Sequence, residues 1–428
     1  MGLISRLHSL IDVESNKHEA IEQTLLALSL SSVVSEKKAE YVSAYVKITY
    51  QCSDSANFAF SKVHDSEFKR VISNLINNAI ESMPESNRSC EVVVKISADE
   101  GMIYVSISDN GVGIDPDVLK KINDNEFIES SKETSMGLGV KHAYEFIAHY
   151  QGEIAYRSNI GVGTEVKIML RRARPPVWLC DEIILFRGGS VVVLDDDSAI
   201  HAAWEQKFKV VLSGVDQPLM HHFYDASTCL KYIGALSDAE KSQVTLLSDY
   251  ELINDKLSGL DVIKLAKLKN AILVTSYYRN KFILKRAILS NIKIIPKLLA
   301  ASVTVKSVSQ EISLNNQRLA CADLVLLDND KLLTDSLEFI AERKKCTLHV
   351  YNDPYALWGS LSCYKQEAVF CLDYDLNLPV NGIEIAEELH KQGFSQLYLI
   401  SGYNFEKAKL SAILSVVTNK QDIFNLVG

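Results

Sequence analysis

Hydrophobic positions change their period along this chain, and the changes divide it. Leu25, Leu26, Leu28 and Leu30 lie in a charge-free stretch that turns charged at SEKKAEY. That pattern predicts a packed helix within residues 17–48 that runs out into an exposed joint. From Tyr45 onward, strand-like runs at Tyr45–Tyr50, Glu91–Ile96, Ile103–Ser108 and Glu165–Leu170 alternate with helix-spaced apolar residues at 66–83 and 137–150. Such alternation predicts an α/β sandwich. The stretch RRARPPVWL closes it, because Pro175-Pro176 continues neither a helix nor a central strand.

Past residue 181 the pattern changes to short, wholly apolar runs that end in acids or hydroxyls, and it occurs twice. Val191–Leu194 runs into Asp195-Asp196-Asp197, and Leu324–Leu327 runs into Asp328-Asn329-Asp330. Each is followed by a helical stretch and a second apolar run, Val244–Ser248 before Asp249 and Val369–Leu372 before Asp373. A third run ends at Thr275-Ser276 in the first copy and at Ser401 in the second. Continuous apolar strands alternating with helices predict parallel sheets buried on both faces. The predicted fold is therefore an α/β sandwich followed by two doubly wound domains. Its expected boundaries are a partial helical segment at 1–44, the sandwich at 45–174, and the doubly wound domains at 188–303 and 320–428, with polar residues 301–319 as a linker.

Composition narrows the function. The 428 residues are 47% hydrophobic and 23% charged, so the chain folds throughout. A net charge of −9 argues against a general grip on nucleic acid or an anionic membrane. The eight cysteines are scattered without a CxxC pair, as expected of reduced thiols in a cytoplasmic protein. No apolar run approaches the roughly 20 residues of a membrane span.

Four pieces of the sandwich domain carry candidate chemistry. Asn74 and Asn78, in SNLINNAIESM, share one helix face, and carboxamides facing a pocket can bind a metal or a phosphate. Asp109-Asn110-Gly111-Val112-Gly113 places an acid at a strand end, where it can accept a proton from an exocyclic amine, before a turn that lets backbone approach a flat ring. Gly137-Leu138-Gly139 opens a helix whose amides suit phosphate oxygens, and Gly161-Val162-Gly163-Thr164 turns into the last strand. Singly these are weak, since a GxG turn is usually only a turn. Their order resembles the GHKL ATPase family, specifically the catalytic domain of sensor histidine kinases: NLINNA resembles the N box, DNGVGI the G1 box and GLGV the G2 box. The resemblance covers about residues 45–170 and implies ATP as ligand, with Asp109 recognising adenine, Asn78 holding Mg²⁺ beside Asn74, and Gly137 and Gly139 lying against the phosphates. Ser135 stands where the family commonly has the first lid glycine, and Lys132 is either a phosphate ligand or an ordinary exposed lysine.

The doubly wound domains present acids where such folds collect ligands, at the carboxyl ends of the strands. Asp195, Asp196 and Asp249 converging would repel one another, so a hard divalent ion, Mg²⁺, is the natural neutraliser. Lys297 and Thr275 would hold a phosphoryl group on an aspartate. This resembles a two-component receiver domain, with Asp249 as phosphoacceptor, although the order Pro296-Lys297 inverts the usual one. The second copy repeats the scheme with Asp328, Asn329, Asp330, Asp373, Ser401 and a weaker lysine, Lys420. Its phosphoacceptor is Asp373 by register with the apolar run, or Asp375 by the pattern before LNLP.

The resemblances together imply a bacterial hybrid histidine kinase: phosphoryl transfer from ATP to histidine and then to Asp249 or Asp373. His18-Glu19 is a poor phosphoacceptor candidate with too little chain around it, and His8 lacks the following acid, so the donor histidine is expected upstream or on another chain. The other histidines, His221-His222 included, read as surface or loop. Expected partners are ATP, a phosphodonor histidine, a downstream response regulator or phosphotransfer protein, and a second copy through residues 3–40. The alternative is a non-catalytic scaffold that holds nucleotide structurally and binds partners through its receivers. A chaperone-type or repair-type GHKL ATPase fits less well, since it would carry no receivers.

Overall fold

The computed structural model describes residues 23–42, 46–83, 90–125, 136–212, 217–253, 255–308, 322–401, 413–417 and 420–427. His8, His18, Lys132 and Ser135 lie outside them. The chain divides into two compact units, residues 1–176 and 177–428.

In the first unit, β1 (Gln23–Leu25) pairs antiparallel with β3 (Phe60–Lys62), and β2 (Val46–Cys52) opens the main sheet. Helix α1 (Leu26–Glu40) starts only after β1, so Leu25 belongs to a strand and not to the expected helix. The Thr24 hydroxyl, donating to the Val63 carbonyl at 2.7 Å, helps to hold the extended backbone there. Helix α2 (Asp65–Glu81) buries Phe68, Val71, Ile72, Leu75, Ile76 and Ala79, the i, i+3, i+4 stripe of an amphipathic helix, which leaves Asn74 and Asn78 on another face. Strands β4 (Cys90–Ala98), β5 (Met102–Asp109), β6 (Glu153–Asn159) and β7 (Gly163–Arg171) complete a sheet of order β2-β4-β5-β7-β6, antiparallel except for the β2/β4 pair. Alternate residues point into the core: Val92, Val94 and Ile96 on β4, and Ile103, Val105 and Ile107 on β5. Helices α3 (Pro116–Asn123) and α4 (Met136–His149) follow β5, and α4 packs on α2.

The second unit holds two five-stranded, wholly parallel sheets. A strand β8 (Glu182–Phe186) precedes the first, which contains β9 (Ser190–Leu194), β10 (Leu219–Phe223), β11 (Val244–Asp249), β12 (Asn270–Thr275) and β13 (Lys293–Pro296) in the order β10-β9-β11-β12-β13. Its longer helices are α5 (Ser198–Val211), α6 (Ala226–Ala235), α7 (Gly259–Ala266) and α8 (Lys281–Leu289), with a single helical turn at Asp238–Lys241. After β14 (Thr304–Val308), the second sheet contains β15 (Leu324–Leu327), β16 (Leu348–Tyr351), β17 (Val369–Asp373), β18 (Gln396–Ile400) and β19 (Ser415–Val417), ordered β16-β15-β17-β18-β19. Its α-helices among the described residues are α9 (Lys331–Lys344), α10 (Pro354–Ser360) and α11 (Gly382–Lys391). Both sheets are flavodoxin-like, and in both the strand order, not the strand direction, reverses between the first and third strands, which opens a crevice at those carboxyl ends.

Part of the segment expected to be linker is a strand. β14 pairs in parallel with β8, and buried Val303 and Val305 alternate there with polar Thr304 and Lys306. The two-residue period was hidden by polar composition. Every described cysteine is a free thiol, and no described helix is long and apolar enough to cross a membrane.

Gly259 and Gly382 begin α7 and α11 at equivalent places, and a Cβ on either would collide with the backbone carbonyl of Asp249 or Asp373. The collision involves main chain at a strand end, which cannot swing aside. Gly259→Ala should therefore destabilise the second unit by roughly 1–3 kcal/mol, the usual cost of forced overpacking. Urea unfolding followed by circular dichroism measures it; an unchanged midpoint would show that α7 is not held against the strand end.

Candidate functional site

In the first unit the chemistry gathers where β5 ends. Asp109 Oδ1 accepts from the Gly111 amide at 2.8 Å, the Thr164 amide at 3.2 Å and the Ser82 hydroxyl at 3.4 Å. Among the described residues no hydrogen bond reaches Oδ2. Burial pushes the Asp109 pKa up, and those three donors offset part of the rise. Ser82 lies one turn beyond Asn78, so Asn74, Asn78 and Ser82 follow one helix face down to the carboxylate. Ser82 is not among the expected site residues, although its i+4 spacing from Asn78 is a legible signal.

The glycine turns close around the same acid. Gly163, at φ +134°, leaves no room for a Cβ against the Asp109 carbonyl, so the β6–β7 turn sits directly on the Asp109 loop. A Cβ on Gly111 would overlap Ser82, and Gly113 packs against the Asn159 carbonyl. Thr164 is buried, and its hydroxyl lies 2.9 Å from that of Ser158, a residue the sequence reading did not single out. Gly137 lies in the first turn of α4, and Gly139 faces Asn74, whose Cβ would be 3.8 Å from an added methyl. The N-terminal turn of α4, the Asn face of α2 and the Asp109 loop are thus neighbours within one unit.

In the second unit, Asp195, Asp196 and Asp249 each offer an oxygen within 4.8 Å of the others. Asp195 follows β9 and Asp249 ends β11, adjacent strands at the reversal point of the sheet. Asp195 Oδ1 accepts from the Asp197 amide at 2.9 Å, Asp249 Oδ1 from the Tyr250 amide at 2.7 Å, and Asp196 Oδ2 from the Ile253 amide at 3.2 Å. Lys297, the first residue after β13, sets its ammonium 2.8 Å from Asp195 and 2.6 Å from Asp249. The inverted Pro296-Lys297 order therefore does not keep the lysine out of the pocket. Thr275 is fully buried at the end of β12, its Oγ1 accepting from the Tyr277 amide at 3.0 Å.

Burial raises the Asp249 pKa and the Asp195 charge adds to the rise, while Lys297 opposes both. Burial alone would depress Lys297, but its bonds to Asp195 and Asp249 outweigh that and hold the ammonium above its ordinary value. Three carboxylates against one ammonium leave negative charge in excess. An all-oxygen, anionic donor set of this kind fits a hard divalent cation such as Mg²⁺.

The second pocket repeats the first with one acid fewer. Asp328 is fully buried and accepts from the Asp330 amide at 2.9 Å. Lys420 reaches Asp328 at 2.6 Å and Asp373 at 3.2 Å. Asn329 occupies the place of Asp196 in the chain order, and Asp330 caps α9 by accepting from the Leu333 amide at 3.2 Å. Ser401 is buried at the end of β18. Asp375 is exposed and accepts from the Asn377 amide at 3.0 Å, so the acid that shares the lysine with Asp328 is Asp373. Burial and the Asp328 charge raise the Asp373 pKa, and Lys420 offsets part of that rise.

The histidine pair departs from expectation. His221 and His222 lie on β10 and not in a loop, and both are half-buried. His222 Nδ1 is 2.8 Å from Nδ1 of buried His201, and its Nε2 is 3.0 Å from Glu205. His201 in turn bonds the Asp195 carbonyl at 2.7 Å. These partners come from α5, across the sheet, so local spacing could not reveal them.

Residues 64–174 match the family model described as Histidine kinase-, DNA gyrase B-, and HSP90-like ATPase. Sporulation kinase E of Bacillus subtilis (strain 168) is 35% identical over 105 residues, 24% of this chain and 14% of that protein. Sporulation kinase A of the same strain is 30% identical over 165 residues, covering 38% of this chain and 26% of that protein. Full-length ShkA in complex with AMPPNP is 16% identical, covering 94% of this chain and 82% of that one with a TM-score of 0.31. The chain thus spans only 14% and 26% of the length of the two curated relatives. Within residues 64–174 it carries a histidine kinase-type ATPase domain, which implies ATP binding.

Proposed function

We propose that the chain is the cytoplasmic core of a two-component hybrid histidine kinase, with an ATP-binding domain followed by two receiver-like halves. Asp109 would take the adenine amine on Oδ2, Asn78 with Asn74 would hold Mg²⁺, and Gly137 and Gly139 would let the α4 amides approach the phosphates. The γ-phosphoryl passes from ATP to a histidine nitrogen supplied upstream or by another chain, and ADP leaves. An Asp249 carboxylate oxygen then attacks the phosphorus, the N–P bond breaks, and the imidazole departs. Mg²⁺ held by Asp195, Asp196 and Asp249 would neutralise charge during that transfer. Lys297 would pair with the new phosphoryl oxygens and Thr275 would donate its hydroxyl to them. Asp373, with Asp328, Ser401 and Lys420, is the corresponding second acceptor, from which a response regulator or phosphotransfer protein would be served.

The observation that carries this reading is the convergence at the carboxyl ends of one sheet's strands of Asp195, Asp196, Asp249 and Lys297, drawn from three separate segments. A second reading, a scaffold that holds nucleotide without turnover, is favoured by one feature of the second half: Asn329 leaves its pocket a carboxylate short.

Two variants test the reading. Asp109→Asn keeps an Oδ1 acceptor for the three local donors but turns Oδ2 into an N–H, so ATP binding measured by calorimetry should weaken about 30-fold, or about 2 kcal/mol, with folding intact. Unchanged affinity would remove Asp109 from the nucleotide site. Asp249→Asn should abolish base-labile label received from a phosphohistidine donor at the first half; label that persists there unaltered would remove Asp249 as acceptor, and no label on the unaltered chain would point to the scaffold.

A further inference from the structure

Away from the pockets, the two halves of the second unit are joined by polar contacts that end on main chain. Trp358, on α10, donates its indole N–H to the Ile288 carbonyl at 2.8 Å, and Tyr355, on the same helix face, donates its hydroxyl to the Ile292 carbonyl at 2.9 Å. Both side chains are buried. Ile288 lies in the last turn of α8, where its carbonyl also accepts from the Asn291 amide at 3.2 Å, and Ile292 immediately precedes β13. Lys285, on α8, pairs with Glu384 of α11. Glu384 also caps its own helix, accepting from the Asn381 amide at 3.2 Å, and the adjoining Gly382 abuts the Asp373 carbonyl.

These contacts grip one particular segment. α8 and β13 form the stretch between Thr275 and Lys297, the hydroxyl and the ammonium of the first pocket. A rigid aromatic ring with a single donor is satisfied only while the carbonyl opposite stays in place, and a buried donor left without an acceptor is unfavourable. Any displacement of α8 or β13 caused by a new charge at Asp249 must therefore be felt at Trp358, Tyr355 and Glu384.

We propose that the second half of the same chain is the resident partner of the α8–β13 face of the first half, so that loading of the Asp249 pocket is passed internally to α10 and α11. The inference rests on the receiver-like reading of that pocket. Coupling of this sort is reciprocal, so the second half would also bias the first.

Hydrogen exchange on the full chain, with and without Mg²⁺ plus beryllium trifluoride as an acyl-phosphate mimic, tests it. Loading should slow exchange in peptides around Asp249 and Lys297 and should change exchange at least threefold in residues 354–363 and 382–391. That distant response should persist in Asp373→Asn, vanish in Asp249→Asn, and fall by more than half in Tyr355→Phe and in Lys285→Met, with protection around Asp249 retained in the last two. Protection around Asp249 without a response in α10 and α11, or a response that survives Asp249→Asn, overturns the inference. No protection around Asp249 at all overturns the receiver-like reading, and the inference falls with it. Tyr355→Phe removes one oxygen without opening a cavity, so a folding defect would not blur the outcome.

Discussion

Each parallel sheet ends in buried carboxylates that have to be compensated, and the second unit is arranged around meeting that need. Asp195 is 2% exposed and Asp249 8%, in positions where water cannot solvate two negative charges fully. The ammonium that balances them comes from β13, which lies two strands from β11, about 10 Å at ordinary strand spacing. A lysine is long and flexible enough to bridge that gap, and Lys297 stands at the first position past the strand, where its side chain can turn back over Thr275. The same solution recurs in the second half, where Lys420 follows β19 and returns to Asp328 and Asp373. The recurrence argues that the ion pairing follows from the topology, since two stretches with little sequence in common arrive at it independently.

The halves differ in how far the lysine satisfies the pocket. With three acids against one ammonium the first pocket keeps two formal negative charges, whereas Asn329 leaves the second with one. Metal affinity rises with the number of anionic ligands, so the first half has the stronger demand for a divalent cation and the second comes closer to neutrality by itself. In the first unit the balance is different again: Asp109 is compensated by two amides and a hydroxyl that bond only Oδ1. A carboxylate held by one oxygen is fixed in orientation and still has an acceptor to offer, which is what recognition of an amine requires.

Much of this was legible from residue patterns. Apolar runs that end in acids located β9, β11, β15 and β17 together with their terminal carboxylates, because a strand buried on both faces leaves polar residues only at its ends. The four-residue spacing of Asn74 and Asn78 put both carboxamides on one helix face, and the structure sets that face apart from the buried stripe of Phe68, Ile72 and Leu75. Contacts whose partner is main chain were not legible, since a carbonyl carries no residue identity. Trp358 and Tyr355 are examples, as is the bond from His201 to the Asp195 carbonyl. β14 was missed because its neighbours are polar, and the strand period shows only once Val303 and Val305 are seen buried. His222 illustrates the remaining difficulty: it looked unpartnered because its neighbours come from a helix packed on the sheet.

The same distinction bears on how the two halves hold together. An interface built from side-chain pairs reports which residues are present, but one built from aromatic donors on carbonyls reports where a backbone is. Ile288 and Ile292 could change identity without disturbing the bonds from Trp358 and Tyr355, yet a shift of about 1 Å in α8 or β13 would carry those carbonyls past hydrogen-bonding distance. Such a joint is insensitive to sequence drift and sensitive to displacement. The Lys285–Glu384 pair adds a charge-dependent contact at the helix cap beside the second pocket. Position is therefore read at one end of the joint and charge at the other.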